Sequence, residues 1–311
     1  MAGFPARRDG VIYLTEGGQE TELMYKHGHE LPEFAMYPLL DDAAALADLT
    51  AMYTSYLEVA ARFGFVPLMG GLDYRASPDW ATKIGISSAG LEEYQLRSIA
   101  FLRDVATPFA ERCDTILYAG IVGPRGDAYG TGGGITAEEA EDYHAVQLAT
   151  LARAGVDLVE AMTLNTVAEA VGLARAAHAV GLPLSVSFMV TLSGHLLSGP
   201  TLHDAIAFVD DEAGVAAPDF FGINCSHPFE FRSALTPGAW RERLRILRPN
   251  ASTADKGALC TLGELDAGDP ESLGSEMGWI ARELPSVDIF GGCCGTWTDH
   301  LDAIGRRLVR R

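Results

Sequence analysis

The chain has 311 residues, of which 48% are hydrophobic and 21% charged, so it can bury a sizeable core and is not expected to be disordered. Its net charge of −19, from 42 acidic and 23 basic residues, disfavours binding to nucleic acid or to an anionic membrane surface. The sequence contains neither an apolar run of about 20 residues, which a membrane helix needs, nor the apolar segment of a secretory signal near its start. We therefore expect a cytoplasmic protein, and no oligomeric state follows from the sequence.

Short apolar runs alternate with helical periodicities along the chain. The predicted strands are Val11–Thr15, Phe63–Met69, Thr115–Val122, Val156–Thr163, Pro183–Val190, Asp219–Cys225, a short run that reaches Asn250, and Val287–Gly292. The predicted helices run from Asp42 to about Arg62, then over Leu91–Arg112, Thr136–Ala154, Val167–Val180, Thr201–Asp210, Glu271–Glu283 and Asp299–Val309. Eight strand–helix units without a linker predict an α/β fold, a (β/α)8 TIM barrel that forms a single domain over residues 1–311.

An open doubly wound sheet is the alternative architecture. The glycine-rich loop Gly130–Gly134 would then be a phosphate cradle, but it misses the G-x-G-x-x-G register of a dinucleotide site. A mobile lid over the barrel mouth is the favoured interpretation of this loop, because glycine keeps a loop flexible.

The chain has five cysteines, an odd number spread over a large chain, so a disulfide framework is not expected. We interpret Cys113 and Cys260 as small buried hydrophobes. Cys225 ends the predicted sixth strand, and Cys293 and Cys294 end the eighth. Since function in such barrels gathers at the C-terminal strand ends, three thiolates meeting there would suit zinc and leave one coordination position open.

Four phrases of the sequence carry a resemblance to the homocysteine S-methyltransferase family of zinc-dependent barrels. In chain order they are Glu16-Gly17-Gly18 with Thr21-Glu22-Leu23, Gly120–Pro124, Gly222–Cys225 and Gly291–Thr296. The resemblance implies that Cys225, Cys293 and Cys294 bind Zn²⁺ and act in catalysis through it, without cobalamin. It also implies methyl transfer from an onium donor of the S-methylmethionine, S-adenosylmethionine or betaine type to a small-molecule thiol, with homocysteine giving methionine.

The sequence departs from this family at two acids that help to grip the amino group of homocysteine. The usual aspartate is Glu16, and the usual acid near the end of strand four falls at Met162. Glu160 precedes Met162 by two residues on the same strand face, so it is either a substitute for that acid or a buried structural carboxylate. Thr163, at the end of the same strand, is a further candidate for substrate binding.

Two arginines follow barrel strands where the family pattern does not require them. Arg75 and Arg125 could each bind a substrate carboxylate in bidentate fashion, or form a salt bridge to a surface acid. Next to Arg75, Tyr74 is a candidate for cation–π contact with the methyl donor, while Trp80 could do the same or anchor its loop.

Polar residues near the cysteines leave several roles open. His227 could orient a metal ligand, contact substrate or make only a loop hydrogen bond. Asn224 and Asn250 could bind substrate or hold the cysteine loops. The substrate-binding candidates are thus Glu16, Glu160, Thr163, Asn224, Tyr74 and Arg75.

The sequence was compared with three alternatives to homocysteine methylation. The acceptor could be a different small thiol or a thiol acid, whose carboxylate Arg75 would hold. A non-catalytic zinc-binding barrel would need a fourth protein ligand, for which His227 is the candidate. A Schiff-base aldolase would need a lysine at a strand end, but Lys26, Lys83 and Lys256 all fall in predicted loops.

Overall fold

Eight parallel strands form a closed barrel in which each strand pairs with its neighbours in the sequence and β1 pairs with β8. The structure is a computed structural model and describes residues 4–129, 134–253 and 265–309. The strands are β1 Tyr13–Leu14, β2 Val66–Gly70, β3 Leu117–Val122, β4 Leu158–Leu164, β5 Leu184–Phe188, β6 Phe220–Asn224, β7 Leu244–Arg248 and β8 Ile289–Phe290. The predicted (β/α)8 barrel is confirmed.

Helices lie in the connections between the strands. They are α1 Gln19–Tyr25, α2 Ala43–Phe63, α3 Pro78–Lys83, α4 Ser88–Ala106, α5 Ala137–Ala154, α6 Val167–Val180, α7 Leu202–Ala213, α8 Pro228–Phe231, α9 Pro270–Glu283 and α10 Thr298–Leu308. The three that the sequence analysis missed, α1, α3 and α8, are short. A helix of seven residues or fewer spans about two turns and shows no hydrophobic period.

Capping residues fix where the longer helices begin and end. Thr136 and Glu139 form a capping box at the start of α5, and the Asp42 side chain accepts from the backbone N–H groups of Ala44 and Ala45 in α2. Gly155 ends α5 in the left-handed conformation that satisfies the last carbonyls at little steric cost.

The hydrophobic core has two layers, one between the strands and the helices and one inside the barrel. At the N-terminal end of the barrel, the Phe4 ring lies 5.4 Å from the rings of both Tyr13 and Phe220 and closes the interior. The polar groups of the interior therefore collect at the opposite, C-terminal end. Within the described residues no helix has the length and apolar character of a membrane span.

Candidate active site

Three cysteine thiols meet at the C-terminal end of the barrel. Cys225 directly follows β6, and Cys293 and Cys294 follow β8 after two glycines. The Sγ atoms of Cys225 and Cys294 lie 3.9 Å apart, and all three Sγ atoms lie within 4.8 Å of one another. No other cluster of metal-ligating side chains is present among residues 4–129, 134–253 and 265–309.

The backbone at each cysteine is held in the conformation that directs its thiol inward. Cys225 has a φ of 52°, a left-handed value that is rare for a residue with a side chain and is typical of functional sites. Its N–H donates to the Arg248 carbonyl at 3.1 Å, and its own carbonyl accepts from Asn250 Nδ2 at 3.2 Å. Asn250 therefore holds a cysteine loop in place.

The segment after β7 also fixes the other two cysteines. Cys293 N–H donates to the Pro249 carbonyl at 2.8 Å, and the Cys294 carbonyl accepts from Ala251 N–H at 3.1 Å. Gly292 must be glycine because a Cβ atom there would lie 2.0 Å from Thr296 Oγ1. The turn can thus bring two consecutive thiols to one point.

Cys225 and Cys293 are joined as a disulfide, with their Cα atoms 5.4 Å apart. The sequence analysis did not anticipate a disulfide. The physical reason is that two thiols close enough to share a zinc ion are also within bonding reach of each other. Reduction of this bond gives three thiols at one point.

The spacing of the three cysteine sulfurs, once reduced, suits a zinc ion. Zn–S bonds of about 2.3 Å in tetrahedral geometry place the sulfurs of two ligands roughly 3.8 Å apart, close to the 3.9 Å between Cys225 and Cys294. Three sulfur ligands leave a fourth position, which is the pattern of catalytic rather than structural sites.

A cavity of about 360 Å³ opens next to the thiols. Of the residues singled out in the sequence, it is bordered by all three cysteines and by Glu16, Tyr74, Arg75, Met162, Thr163 and Asn250. Glu160, Asn224, Trp80, Arg125 and His227 do not border it. Its remaining polar lining includes the acids Glu20, Asp127 and Asp266.

Asn224 links the ends of β4, β6 and β8. Its Oδ1 accepts from Thr163 N–H at 2.7 Å, and its Nδ2 donates to Thr163 Oγ1 at 2.8 Å and approaches Cys293 Sγ at 3.9 Å. Thr163 is itself left-handed, with a φ of 61°, so this amide stabilises a strained residue. Burial raises the pKa of the neighbouring Tyr74 to about 12, although Arg75 and a hydrogen bond with Thr163 oppose the shift.

An ion triad of Glu16, Arg248 and Glu160 lies at the cavity floor. Arg248 Nη1 is 3.0 Å from Glu160 Oε2, Arg248 Nη2 is 3.2 Å from Glu16 Oε1, and all three side chains are buried. Burial raises the pKa of Glu160 to about 7 despite the attraction of Arg248. Burial alone disfavours the charged guanidinium, but the two carboxylates more than offset it and raise the pKa of Arg248.

Arg248 was missed by the sequence analysis. The sequence did contain an indication of its role. Arg248 is the last residue of a barrel strand, directly before Pro249, and the functional residues of such barrels gather at these strand ends. The same guanidinium also donates from Nε to the Gly292 carbonyl at 3.1 Å and from Nη1 to Met162 Sδ at 3.6 Å. Arg248 therefore connects Met162 and the two acids of the triad with the loop that carries Cys293 and Cys294.

The two arginines of the sequence analysis have different surroundings. Arg125 Nε lies 3.2 Å from Asp79 Oδ2 at the surface, which is the salt-bridge interpretation. Arg75 borders the cavity, donates from Nη1 to the Gly126 carbonyl at 2.7 Å and stacks 4.1 Å from the Trp80 ring centroid. Lys83 Nζ also lies 3.7 Å from the centroid of the Trp80 ring, so Trp80 contacts two cations and anchors its loop.

His227 is the N-cap of α8. Its Nδ1 accepts from Phe229 N–H at 3.2 Å, and burial lowers its pKa to about 4. Lys26 and Lys83 do not border the cavity. The predicted lid residues Gly130–Gly133, together with Lys256 and Cys260, lie outside the described residues.

Comparison with known proteins gives one consistent family. A family model described as homocysteine S-methyltransferase matches residues 13–308. Homocysteine S-methyltransferase 2 of Arabidopsis thaliana is 24% identical, with 98% of this chain and 95% of the relative covered. Selenocysteine Se-methyltransferase of Brassica oleracea var. italica is also 24% identical, with 98% and 91% covered.

Solved structures agree on the fold. The oxidized form of the homocysteine methyltransferase MmuM from Escherichia coli superposes with a TM-score of 0.75 at 23% identity, covering 96% of each chain. Its metallated form superposes with a TM-score of 0.74 at 21% identity, covering 96% of this chain and 97% of that one.

Proposed function

This chain belongs to the homocysteine S-methyltransferase family, and from that premise we propose that it is a zinc-dependent enzyme that methylates homocysteine to methionine. The methyl donor is an onium compound of the S-methylmethionine, S-adenosylmethionine or betaine type. The observation that carries the proposal is the convergence of the Cys225, Cys293 and Cys294 sulfurs at the edge of the cavity. Thiolate ligands need a reducing compartment, which supports the cytoplasm as the place of action.

The cysteines would hold the zinc ion, and the cavity admits the acceptor from its open side. Bound zinc supplies Lewis acidity, which lowers the pKa of an incoming thiol. The three sulfurs are largely shielded from solvent, since Cys225 and Cys293 are buried and only Cys294 is partly exposed. Bulk water therefore has limited access to Cys225 and Cys293.

Glu16 is the group that would bind the ammonium of homocysteine. Its Oε1 is buried beside the cavity and accepts no hydrogen bond from the described residues, although Arg248 Nη2 lies 3.2 Å away. Two carboxylates share one guanidinium in the triad, so one negative charge is left over when both are ionised. A substrate cation would compensate that charge.

The acids of the cavity suit a cationic donor. Glu20, Asp127 and Asp266 border the same space as the Tyr74 ring, whose face can contact a methyl-onium group. In the reaction the acceptor thiol releases its proton to solvent on binding, its sulfur forms a bond to the methyl carbon, and the bond from that carbon to the onium atom breaks with its electron pair staying on the onium atom. A sulfonium donor leaves as a neutral thioether, and charge neutralisation favours a site without bulk water.

A different small thiol is the second candidate acceptor. Met162 borders the cavity with a thioether where an acid would be expected for an amino-acid substrate. The loss of that acid removes one partner of an ammonium group and is compatible with a thiol that carries none.

The test is a panel of thiols crossed with onium donors, on reduced and zinc-replete protein, with methylated product as the readout. We expect turnover with homocysteine, loss of turnover in Cys293→Ser, and normal turnover in Cys113→Ser, whose thiol is buried away from the cavity. Absence of turnover with every thiol, or full activity in Cys293→Ser, would contradict the proposed function.

A further inference from the structure

Arg75 is a buried cation without a counter-ion among the described residues. Its exposed fraction is 9%, and no carboxylate of the described chain lies at ion-pair distance from it. The contrast is with Arg248, which is 3% exposed and paired with two carboxylates. An unpaired buried charge destabilises a folded protein, because the group loses its hydration without gaining a partner.

The guanidinium of Arg75 uses only part of its hydrogen-bonding capacity within the described residues. Nη1 donates to the Gly126 carbonyl, and Cζ lies over the rings of Trp80 and Tyr74, 4.1 and 5.2 Å from their centroids. Nε is buried and has no hydrogen-bond partner, and Nη2 donates to no described residue. The Nε–Nη2 edge therefore keeps the two parallel donors that match a carboxylate.

Arg75 lines the cavity at which the reaction would take place. Arg75 borders the same space as the three cysteines and as Glu16. Glu20 also borders it and acts electrostatically on Arg75, but it lies beyond ion-pair distance. The missing negative charge is thus one that a ligand in this cavity would supply.

We propose that Arg75 binds the carboxylate of a substrate through its Nε–Nη2 edge and so selects carboxylate-bearing thiol or onium compounds. The inference rests on the proposed function for the identity of those substrates, and it adds the residue and the group by which they are recognised. The carboxylate belongs either to the acceptor or to the methyl donor, and both carry the same chemistry.

The experiment compares each substrate with an analogue that lacks the carboxylate. For the acceptor the pair is homocysteine and 3-aminopropane-1-thiol; for the donor it is S-methylmethionine and (3-aminopropyl)dimethylsulfonium. Arg75→Gln should raise the KM of the recognised partner about 10- to 100-fold, the loss of a charge-assisted hydrogen bond, and should abolish its preference over the analogue. The pair that changes identifies which substrate carries the carboxylate.

Two variants control for folding and for charge. Arg75→Lys keeps the charge but not the fork, so it should recover only part of the preference. Arg125→Gln removes an arginine that is paired with Asp79 away from the cavity, and it should leave both preferences unchanged.

Calorimetric binding separates this inference from the proposed function. Titration of reduced, zinc-loaded wild type and Arg75→Gln with the four compounds measures carboxylate recognition without turnover. A carboxylate preference that Arg75→Gln removes supports the inference even if no thiol is methylated. Equal binding of both members of each pair by wild type, binding of neither, or a preference that survives in Arg75→Gln would overturn it.

Discussion

Arg248 Nη1 lies 3.0 Å from Glu160 Oε2, beneath the floor of the cavity that the three cysteines border. The same guanidinium reaches Glu16, two residues after β1, so the last residue of β7 compensates two acids from distant parts of the sequence. Glu160 is fully buried and does not border the cavity, which makes it a support for Arg248 rather than a contact for substrate.

Removing Arg248 should destabilise the fold. Arg248→Met leaves two carboxylates buried without their cation, and we expect a loss of about 3–5 kcal/mol in the free energy of unfolding, measured with urea. The double variant Arg248→Met/Glu160→Gln should regain part of this loss because it removes one of the unpaired charges. Equal stabilities of the single and double variants would show that Glu160 is not a destabilising unpaired charge once Arg248 is removed.

Asp73 should make the stability fall as the pH rises. Burial raises its pKa from 3.8 to about 8, so the folded chain keeps a proton that the unfolded chain has already released between those values. The free energy of unfolding should therefore drop by up to about 1.4 kcal/mol per pH unit in that window, with no further loss from this group above it. Unfolding of wild type and Asp73→Asn between pH 5 and pH 8 measures the effect.

The asparagine variant should have a shallower slope because the Asp73 contribution is gone, while the raised pKa of Glu160 still contributes below about pH 7. Asp211→Asn, at an exposed position of α7, should keep the slope of the wild type. Parallel profiles for wild type and Asp73→Asn would mean that Asp73 is ionised in the folded protein.

Asn224→Ala should weaken zinc binding without removing a ligand. The amide supports Thr163 and approaches Cys293 Sγ, and loss of such a supporting contact typically costs about 10- to 100-fold in metal affinity. Competition with a chromophoric chelator gives the dissociation constant. Asn165→Ala is the matched control, since Asn165 donates to the Ala128 carbonyl away from the sulfurs. An unchanged zinc affinity in Asn224→Ala would remove Asn224 from the metal site.

Glu16→Gln should discriminate between acceptors. The substitution removes the charge that faces the ammonium group, so the KM for homocysteine should rise about 10- to 100-fold. Propane-1-thiol has no ammonium group, and its KM should change little. A similar rise for both thiols would indicate a general disturbance of the cavity instead of ammonium recognition.

The fold was predictable because local signals repeat along the chain. Alternating strands and helices, the Thr136 capping box and the two cysteine phrases each mark a position in a barrel. Short helices were not predictable. Helix α1, for example, carries Glu22, whose Oε2 accepts from Tyr56 Oη at 2.5 Å, a contact with α2 that no local pattern encodes.

The site was predictable only where its residues stand at the ends of predicted strands. The three cysteines met that condition, and the structure places them together. The partners of Arg248 and Asn224 come from other strands, 88 and 61 positions away, and depend on the registers of the closed barrel. Likewise, the Cys225–Cys293 disulfide spans 68 positions, so spacing along the chain gives no sign of it.

The most direct measurement is the zinc content of the reduced protein, determined by elemental analysis beside thiol methylation. Wild type and Cys113→Ser should each hold about one zinc ion per chain and methylate homocysteine, whereas Cys225→Ser, Cys293→Ser and Cys294→Ser should lose both. Methylation by a metal-free wild type, or full zinc occupancy in all three serine variants, would contradict a catalytic zinc site at these cysteines.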